Sequence, residues 1–414
     1  MASASRNTGR EDGEWLKKIS IFVSHNPEPI LNNPVPTMNN PKLTTNKPMP
    51  TDDETLLREY YSRYGGFWRF PDMLDYCYLV NPYFTRSAII DEMAAFFRVL
   101  VAEYPSGMGV NSALAGECWG VKPEYIVPGN GAAELIKVVF EGLEGKVGVT
   151  RPTFEEYPNR LPEARVETFV PQNRDFRYDA DDLIAHFSEH RVDTLLLINP
   201  DNPSGNFINM EGVHRLAQWT REEGMRFVLD ESFVDFSVGY AGHSFISNEL
   251  LEAYPHMCVI KSISKSYGVP GLRLGILCSG DTALIAGVKQ AVSIWNINSF
   301  AEFFMQIYPK YRADYVEACD RFLEARADFE KELRTIPFIH VMPSQANYFF
   351  LEVLPPFKPK QLCTTLLRDH HILASACLAK KGIEPDRYMR IAVRSHRDNE
   401  LFISAMKKIA TCHD

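Results

Sequence analysis

The sequence predicts an α/β fold, a mainly parallel sheet with helices on both faces, followed by a smaller α+β domain. Three observations carry this expectation. From residue 90 onward, short continuous apolar runs end in turn residues. Helical stretches lie between several of these runs. After about residue 300 the alternation gives way to a long, charge-rich helical stretch. Strands that are apolar throughout, rather than at every second position, belong to a sheet buried on both faces.

Taken in order, residues 1–50 differ from all that follows. Seven prolines and six asparagines fall between Asn26 and Pro50 without helical or strand period, which predicts a linker or N-terminal extension. Residues 51–89 are expected to form an arm that joins the smaller domain. The large domain is expected over 90–300, with strands at 146–150, 194–198, 226–229, 257–260 and 272–278. Helices are expected at 131–142 and 210–224, the latter stopped by Gly224. Residues 300–336 read as one long helix kinked at Pro309, opening a smaller domain over 301–414.

Composition excludes several classes. Of 414 residues, 44 are Lys or Arg and 53 are Asp or Glu, a net charge of −9 that suits neither nucleic acid nor anionic lipid. No segment is long and apolar enough to span a bilayer. The eight cysteines (77, 118, 258, 278, 319, 363, 377 and 412) form no CxxC pair, and the first fifteen residues lack an apolar core. Both features predict reduced thiols and a cytoplasmic chain. The 11 histidines form no HExxH, so no metal site is expected.

Four motifs stand where open α/β sheets gather ligands, beyond the carboxyl ends of strands. Gly129-Asn130-Gly131 is a glycine turn opening a helix, either a phosphate cradle or an ordinary Asn cap. Asn199-Pro200-Asp201-Asn202-Pro203-Ser204-Gly205 is either a plain turn or a setting that fixes Asn202 as a donor to a ligand oxygen. Asp230 ends an apolar strand and would either cap the next turn or pair with a cationic ligand nitrogen. Lys265 sits among Ser262, Ser264 and Ser266, eight residues before Arg273. Burial and a nearby cation would depress its pKa and make it a nucleophilic amine, while Arg273 suits a phosphate. A phosphate cradle, a hydroxyl partner, a carboxylate and a lysine together suit one ligand, pyridoxal 5'-phosphate. Lys265 would form a Schiff base with its aldehyde and later carry protons, and Asp230 would keep its pyridine nitrogen protonated.

These motifs resemble those of the fold-type I pyridoxal-phosphate aminotransferases, in particular the histidinol-phosphate aminotransferase and threonine-phosphate decarboxylase branch. The resemblance covers about residues 75–410, with NPDNPSG, DESFVDF and SKSYGVPGLRLG in the family's order. It implies Lys265 and Asp230 as catalytic residues and Asn202 on the ring oxygen. The phosphate would lie on backbone at Gly129, Asn130 and Gly131 and on the side chains of Ser262, Ser264 and Arg273. Phe154 would stack on the ring, and Tyr83 would be lent by the neighbouring subunit of a homodimer. Arg390 would grip the substrate carboxylate. Phe233 stands where many aminotransferases carry a tyrosine, a second donor to the ring oxygen; the threonine-phosphate decarboxylase branch is similar there.

Arg387, Arg390, Arg394 and Arg397 cluster near the end of the chain, and alternation places Arg390 and Arg394 on one strand face. Arg397 is taken with Arg390 and Tyr83 as a substrate-binding candidate. The resemblance implies a small substrate bearing phosphate or phosphonate, and transamination. The specific expectation is conversion of phosphonoacetaldehyde to 2-aminoethylphosphonate by one half of a fusion with an upstream cytidylyltransferase. Two alternatives are an O-phospho-amino-acid decarboxylase and a pyridoxal-phosphate-sensing regulator. The regulator would need a basic winged-helix segment, which residues 1–50 do not show.

Overall fold

The structure, a computed structural model, describes residues 53–84 and 88–411. The Pro/Asn-rich stretch expected as a linker and Cys412 lie outside the described residues. Among those described, the other seven cysteines are free. No described helix is long and apolar enough to cross a membrane.

Twelve strands run in chain order: β1 Leu74–Asp75, β2 Ile126–Asn130, β3 Val147–Thr150, β4 Val166–Phe169, β5 Thr194–Ile198, β6 Arg226–Asp230, β7 Met257–Ser262, β8 Leu274–Cys278, β9 Ile339–Val341, β10 Tyr348–Val353, β11 Ile372–Leu373 and β12 Tyr388–Ala392. Seven of them form one sheet in the order β2-β8-β7-β6-β5-β3-β4, with β8 antiparallel to both neighbours. The apolar runs explain why this sheet is buried on both sides. Leu195, Leu197, Phe227, Leu229 and Val259 enter one core cluster. Leu196, Ile198, Val228, Cys258 and Ile260 enter another, which also takes in Leu135 and Ile136 of the helix Ala132–Glu141.

Register sets what meets at the sheet's carboxyl edge. Ile198 pairs with Asp230, and Asp230 with Ile260, so β5 and β6 end level with one another and β7 runs two residues further, to Ser262. Because β8 runs the other way, its first residues lie at that same edge: Gly275 pairs with Ser262 of β7 and with Gly129 of β2. Arg273, one residue before β8, is thereby delivered to the edge that also holds Gly129 and Ser262. The strand expected at 272–278 starts two residues late. Pro270–Leu272 forms a 3-10 turn, and Arg273 takes a left-handed conformation at φ 54 that a strand cannot accept.

A third core cluster surrounds the antiparallel sheet β12-β10-β9. It includes Leu56, Leu57 and Tyr60 of the helix Asp53–Tyr61. The chain from that helix returns through β1, which pairs in parallel with β11. The helix expected over 300–336 is two helices, Ser299–Ile307 and Arg312–Leu333, with a 3-10 turn at Tyr308–Tyr311. Pro309 in that turn has no N–H to continue the ladder. The helix Arg312–Leu333 serves both cores, Ala318 and Cys319 facing the first cluster and Phe322 and Phe329 the third.

Phe322 is fully buried with its ring 4.6 Å from Phe236. Phe322→Ala is expected to lower the unfolding free energy by about 3–5 kcal/mol, read as a lower guanidinium midpoint at unchanged slope.

Candidate active site

Asp230 ends β6 fully inside the protein. Its Oδ2 accepts a hydrogen bond from the Tyr157 hydroxyl at 2.6 Å, and its Oδ1 accepts from the Ser232 N–H at 2.7 Å. Burial raises its pKa, and the bonds from Ser232 and Tyr157 with the charge of Lys265 pull it back down. A buried acid with these partners suits a cationic ligand nitrogen. Tyr157 was not legible from the sequence: it is a buried aromatic on a short turn, and only its contact with Asp230 sets it apart.

Lys265 lies on the four-residue helix Ile263–Ser266 that follows β7. Burial first, then Arg390 and Arg273, lower its pKa to about 8, against an opposing contribution from Asp230. About a tenth of the amine is therefore unprotonated at pH 7, far more than for an ordinary lysine. Asn81 pins this segment from the N-terminal arm: its N–H donates to the Lys265 carbonyl at 2.9 Å, and its side chain accepts from the Tyr83 N–H. Tyr83 lies under the guanidinium of Arg321, 4.7 Å from the ring centre.

The glycine turn and the serines meet as the register requires. Gly131 has φ 73, and a Cβ there would run into the Arg273 guanidinium. No side chain caps the helix Ala132–Glu141. The Ser264 hydroxyl is buried without a hydrogen-bond partner. Ser262 is buried, and its N–H donates to Ser232 Oγ. Of the three backbone donors expected for phosphate, two are already engaged: Asn130 N–H by Glu134 Oε2 at 2.7 Å, and Gly131 N–H by the Gly129 carbonyl. The free first turn of the helix, Ser264 and Arg273 are the donors that remain.

Arg390 of β12 reaches the same place from the smaller sheet. It donates to Asn202 Oδ1 at 2.8 Å and to the Cys77 carbonyl at 2.9 Å, while its Nε is buried without a partner. Both of its bonded partners are neutral. Its guanidinium also lies 5.5 Å from the centre of the Tyr348 ring, and the edge of Phe233 packs on that ring at 5.2 Å. Phe154 is 39% exposed and edge-on to Tyr157, leaving a face open for stacking.

The other three arginines are differently engaged. Arg387 is held by Glu352 and Glu384. Arg394 lies past the end of β12, not on its face, and bonds Asp398 and the Asp75 carbonyl. Arg397 is exposed in the first turn of the helix His396–Thr411, outside the bonds that join Arg390 to Asn202.

These residues fit pyridoxal phosphate: an orphaned buried hydroxyl and an uncapped helix start for the phosphate, a buried carboxylate, an exposed aromatic face, and a lysine of depressed pKa. Among the described residues no group of His, Cys, Asp and Glu could hold a metal ion. Comparison with known sequences adds the deciding observation: the family described as Aminotransferase class I and II matches residues 109–408. The chain belongs to that family. Its members depend on pyridoxal phosphate, and the structure has their fold-type I architecture. The chain is 30% identical over 360 residues to the CMP-5'-(3-aminopropyl)phosphonate synthase of Streptomyces rubellomurinus, covering 87% of this chain and 56% of that protein. It therefore spans little more than half the length of that relative. It is 29% identical over 347 residues to the L-serine phosphate decarboxylase of Sulfurospirillum multivorans, covering 81% of this chain and 88% of the other. The histidinol-phosphate aminotransferase of Clostridium acetobutylicum superposes with a TM-score of 0.72 at 25% identity, over 81% of this chain and 99% of that one.

The pKa of Lys265 gives a direct test. Reconstitution of the cofactor-free protein with pyridoxal phosphate is expected to speed up about tenfold per pH unit below pH 8 and level off above it. A rate still climbing at pH 10 would show an ordinary lysine. Lys265→Ala should give no visible band of lysine-bound cofactor at any pH.

Proposed function

We propose that this protein is an aminotransferase for a small amine or carbonyl compound bearing phosphonate or phosphate, the specific reaction being conversion of phosphonoacetaldehyde to 2-aminoethylphosphonate. The observation that carries the reading is Arg390: a half-buried guanidinium whose side-chain bonds among the described residues go to a carboxamide and a carbonyl, with its Nε buried and unpartnered, asks for an anion. The phosphonate in the name of the Streptomyces relative supports the substrate class, and the greater length of that relative supports a fusion to a further domain.

In this reading Lys265 holds the cofactor and moves the proton at the substrate carbon. Asp230, oriented by Tyr157 and Ser232, holds a proton on the pyridine nitrogen. Asn202 turns its amide to the ring oxygen, its own oxygen being fixed by Arg390. Phe154 stacks on the ring, while Ser262, Ser264, Arg273 and the first turn of the helix Ala132–Glu141 carry the phosphate. The bound group supplies an aldehyde and a ring that takes up electrons from the substrate carbon.

Decarboxylation of an O-phospho-amino acid is the second reading. The serine phosphate decarboxylase relative, matched over 88% of its length, favours it, as does Phe233 in place of a tyrosine. The two readings separate in single-turnover spectra with 2-aminoethylphosphonate, O-phosphothreonine, histidinol phosphate, glutamate and aspartate. Transamination predicts that the visible band bleaches as the amine gives up its nitrogen and its carbonyl product appears. Decarboxylation predicts that the band survives while O-phosphothreonine releases carbon dioxide.

A homodimer belongs to the same proposal. Phe97, Val99, Val101, Tyr104, Ile294 and Trp295 are all exposed, and the Tyr104 and Trp295 rings meet at 4.6 Å. The next residue, Asn296, bonds Glu134 beside the glycine turn, so this apolar surface adjoins the phosphate cradle. Trp295→Glu is expected to shift sedimentation from dimer to monomer and to weaken cofactor retention. A dimer left intact by this change and by Tyr104→Glu would remove this surface as the interface.

A further inference from the structure

The loop 374–387, between β11 and β12, carries two adjacent lysines that behave differently. Lys381 is exposed and pairs with Glu163. Lys380 is half-buried and turned inward, its Nζ donating to the Thr153 carbonyl next to Phe154. The loop is fastened at both sides of this lysine. Ser375 and Arg390 exchange two backbone hydrogen bonds, at 2.8 and 3.2 Å. Gly382, at φ 83, lies so close to Arg151 that a Cβ would meet it. Lys380 is thus held between the strand end bearing Phe154 and the strand bearing Arg390.

Its charge is not neutralised there. The acids nearby are Glu155 and Asp201. Both Glu155 oxygens accept from Arg151, at 2.7 and 2.9 Å. Asp201 accepts from the Ser204 hydroxyl and N–H, and burial pushes its pKa up to about 7. Lys380 forms no ion pair with either among the described residues. Burial and then Arg390 lower its pKa, the mark of two cations sharing one desolvated place. An ammonium has three donors, and the Thr153 carbonyl takes one.

We propose that Lys380 is a substrate-binding residue which, together with Arg390, receives the doubly charged phosphonate or phosphate group of the substrate. Two cations, neither of them ion-paired among the described residues, match a dianion better than a carboxylate, so the pair sets specificity as well as affinity. This inference rests on the proposed substrate class.

Two substitutions separate a charge role from a structural one. Lys380→Gln keeps a donor for the Thr153 carbonyl and loses the charge, whereas Lys380→Arg keeps the charge. The full chain loaded with pyridoxal phosphate is titrated with methylphosphonate and with acetate, read by the shift of its visible band. Lys380→Gln is expected to raise the methylphosphonate Kd about tenfold or more and the acetate Kd at most about twofold, with Lys380→Arg within about threefold of the unaltered protein. Equal methylphosphonate Kd values in Lys380→Gln and the unaltered protein would overturn the role of Lys380 and leave the substrate class standing. An unaltered protein that binds methylphosphonate no more tightly than acetate would overturn both.

Discussion

The constraint on which this structure turns is the burial of charge at the end of an apolar sheet. Asp230 and Lys265 sit where strands made almost wholly of apolar residues stop, Arg390 joins them from the middle of β12, and burial acts on the first two in opposite directions, raising the acid and lowering the amine. Isolated buried ions would be costly. Here two of the three are held by short, directed bonds: Tyr157 and Ser232 on Asp230, Asn202 and the Cys77 carbonyl on Arg390. A site organised in advance in this way has little rearrangement left to do when charge moves within it.

The sheet supplies that organisation through two simple features. The parallel run of β5, β6 and β7 brings Asn199, Asp230 and Ser262 to one edge. The single reversal at β8 then brings Arg273 and the Gly129 turn to the same edge, although 144 positions separate them in sequence. The smaller sheet contributes Arg390 from the opposite side. The site is therefore a meeting of two cores, and the helix Arg312–Leu333 is a member of both.

Much of this was legible in the sequence. The run at 194–198 is a strand to the residue, because five consecutive buried positions leave no ambiguity of face. Lys265, Asp230 and Asn202 announced themselves as polar residues directly after apolar strands. What escaped was of two kinds. Tyr157 and Lys380 act through contacts made across the fold, and neither residue type is unusual in its own neighbourhood. The arginines near the end of the chain misled for a related reason. A charge count shows how many guanidiniums are near, and only the structure shows that Glu352, Glu384 and Asp398 have taken Arg387 and Arg394. Asn130 belongs with them, its N–H already claimed by Glu134 four residues on.

The N-terminal arm has a consequence for how the chain is made. Residues 74–77 find their partners at Ile372, Leu373, Arg390, Ala392 and Arg394, through the β1–β11 pairing and through carbonyls offered by Asp75, Tyr76 and Cys77. Arg390 follows Cys77 by 313 residues. At ribosomal speeds the arm waits roughly 15 to 60 s after its own synthesis before those partners exist. During that interval the seven-stranded sheet can form first, with its apolar strands already consecutive along the chain. The segment that steadies both Lys265 and Arg390 is thus made 313 residues ahead of Arg390 and seated only after β12 has followed it.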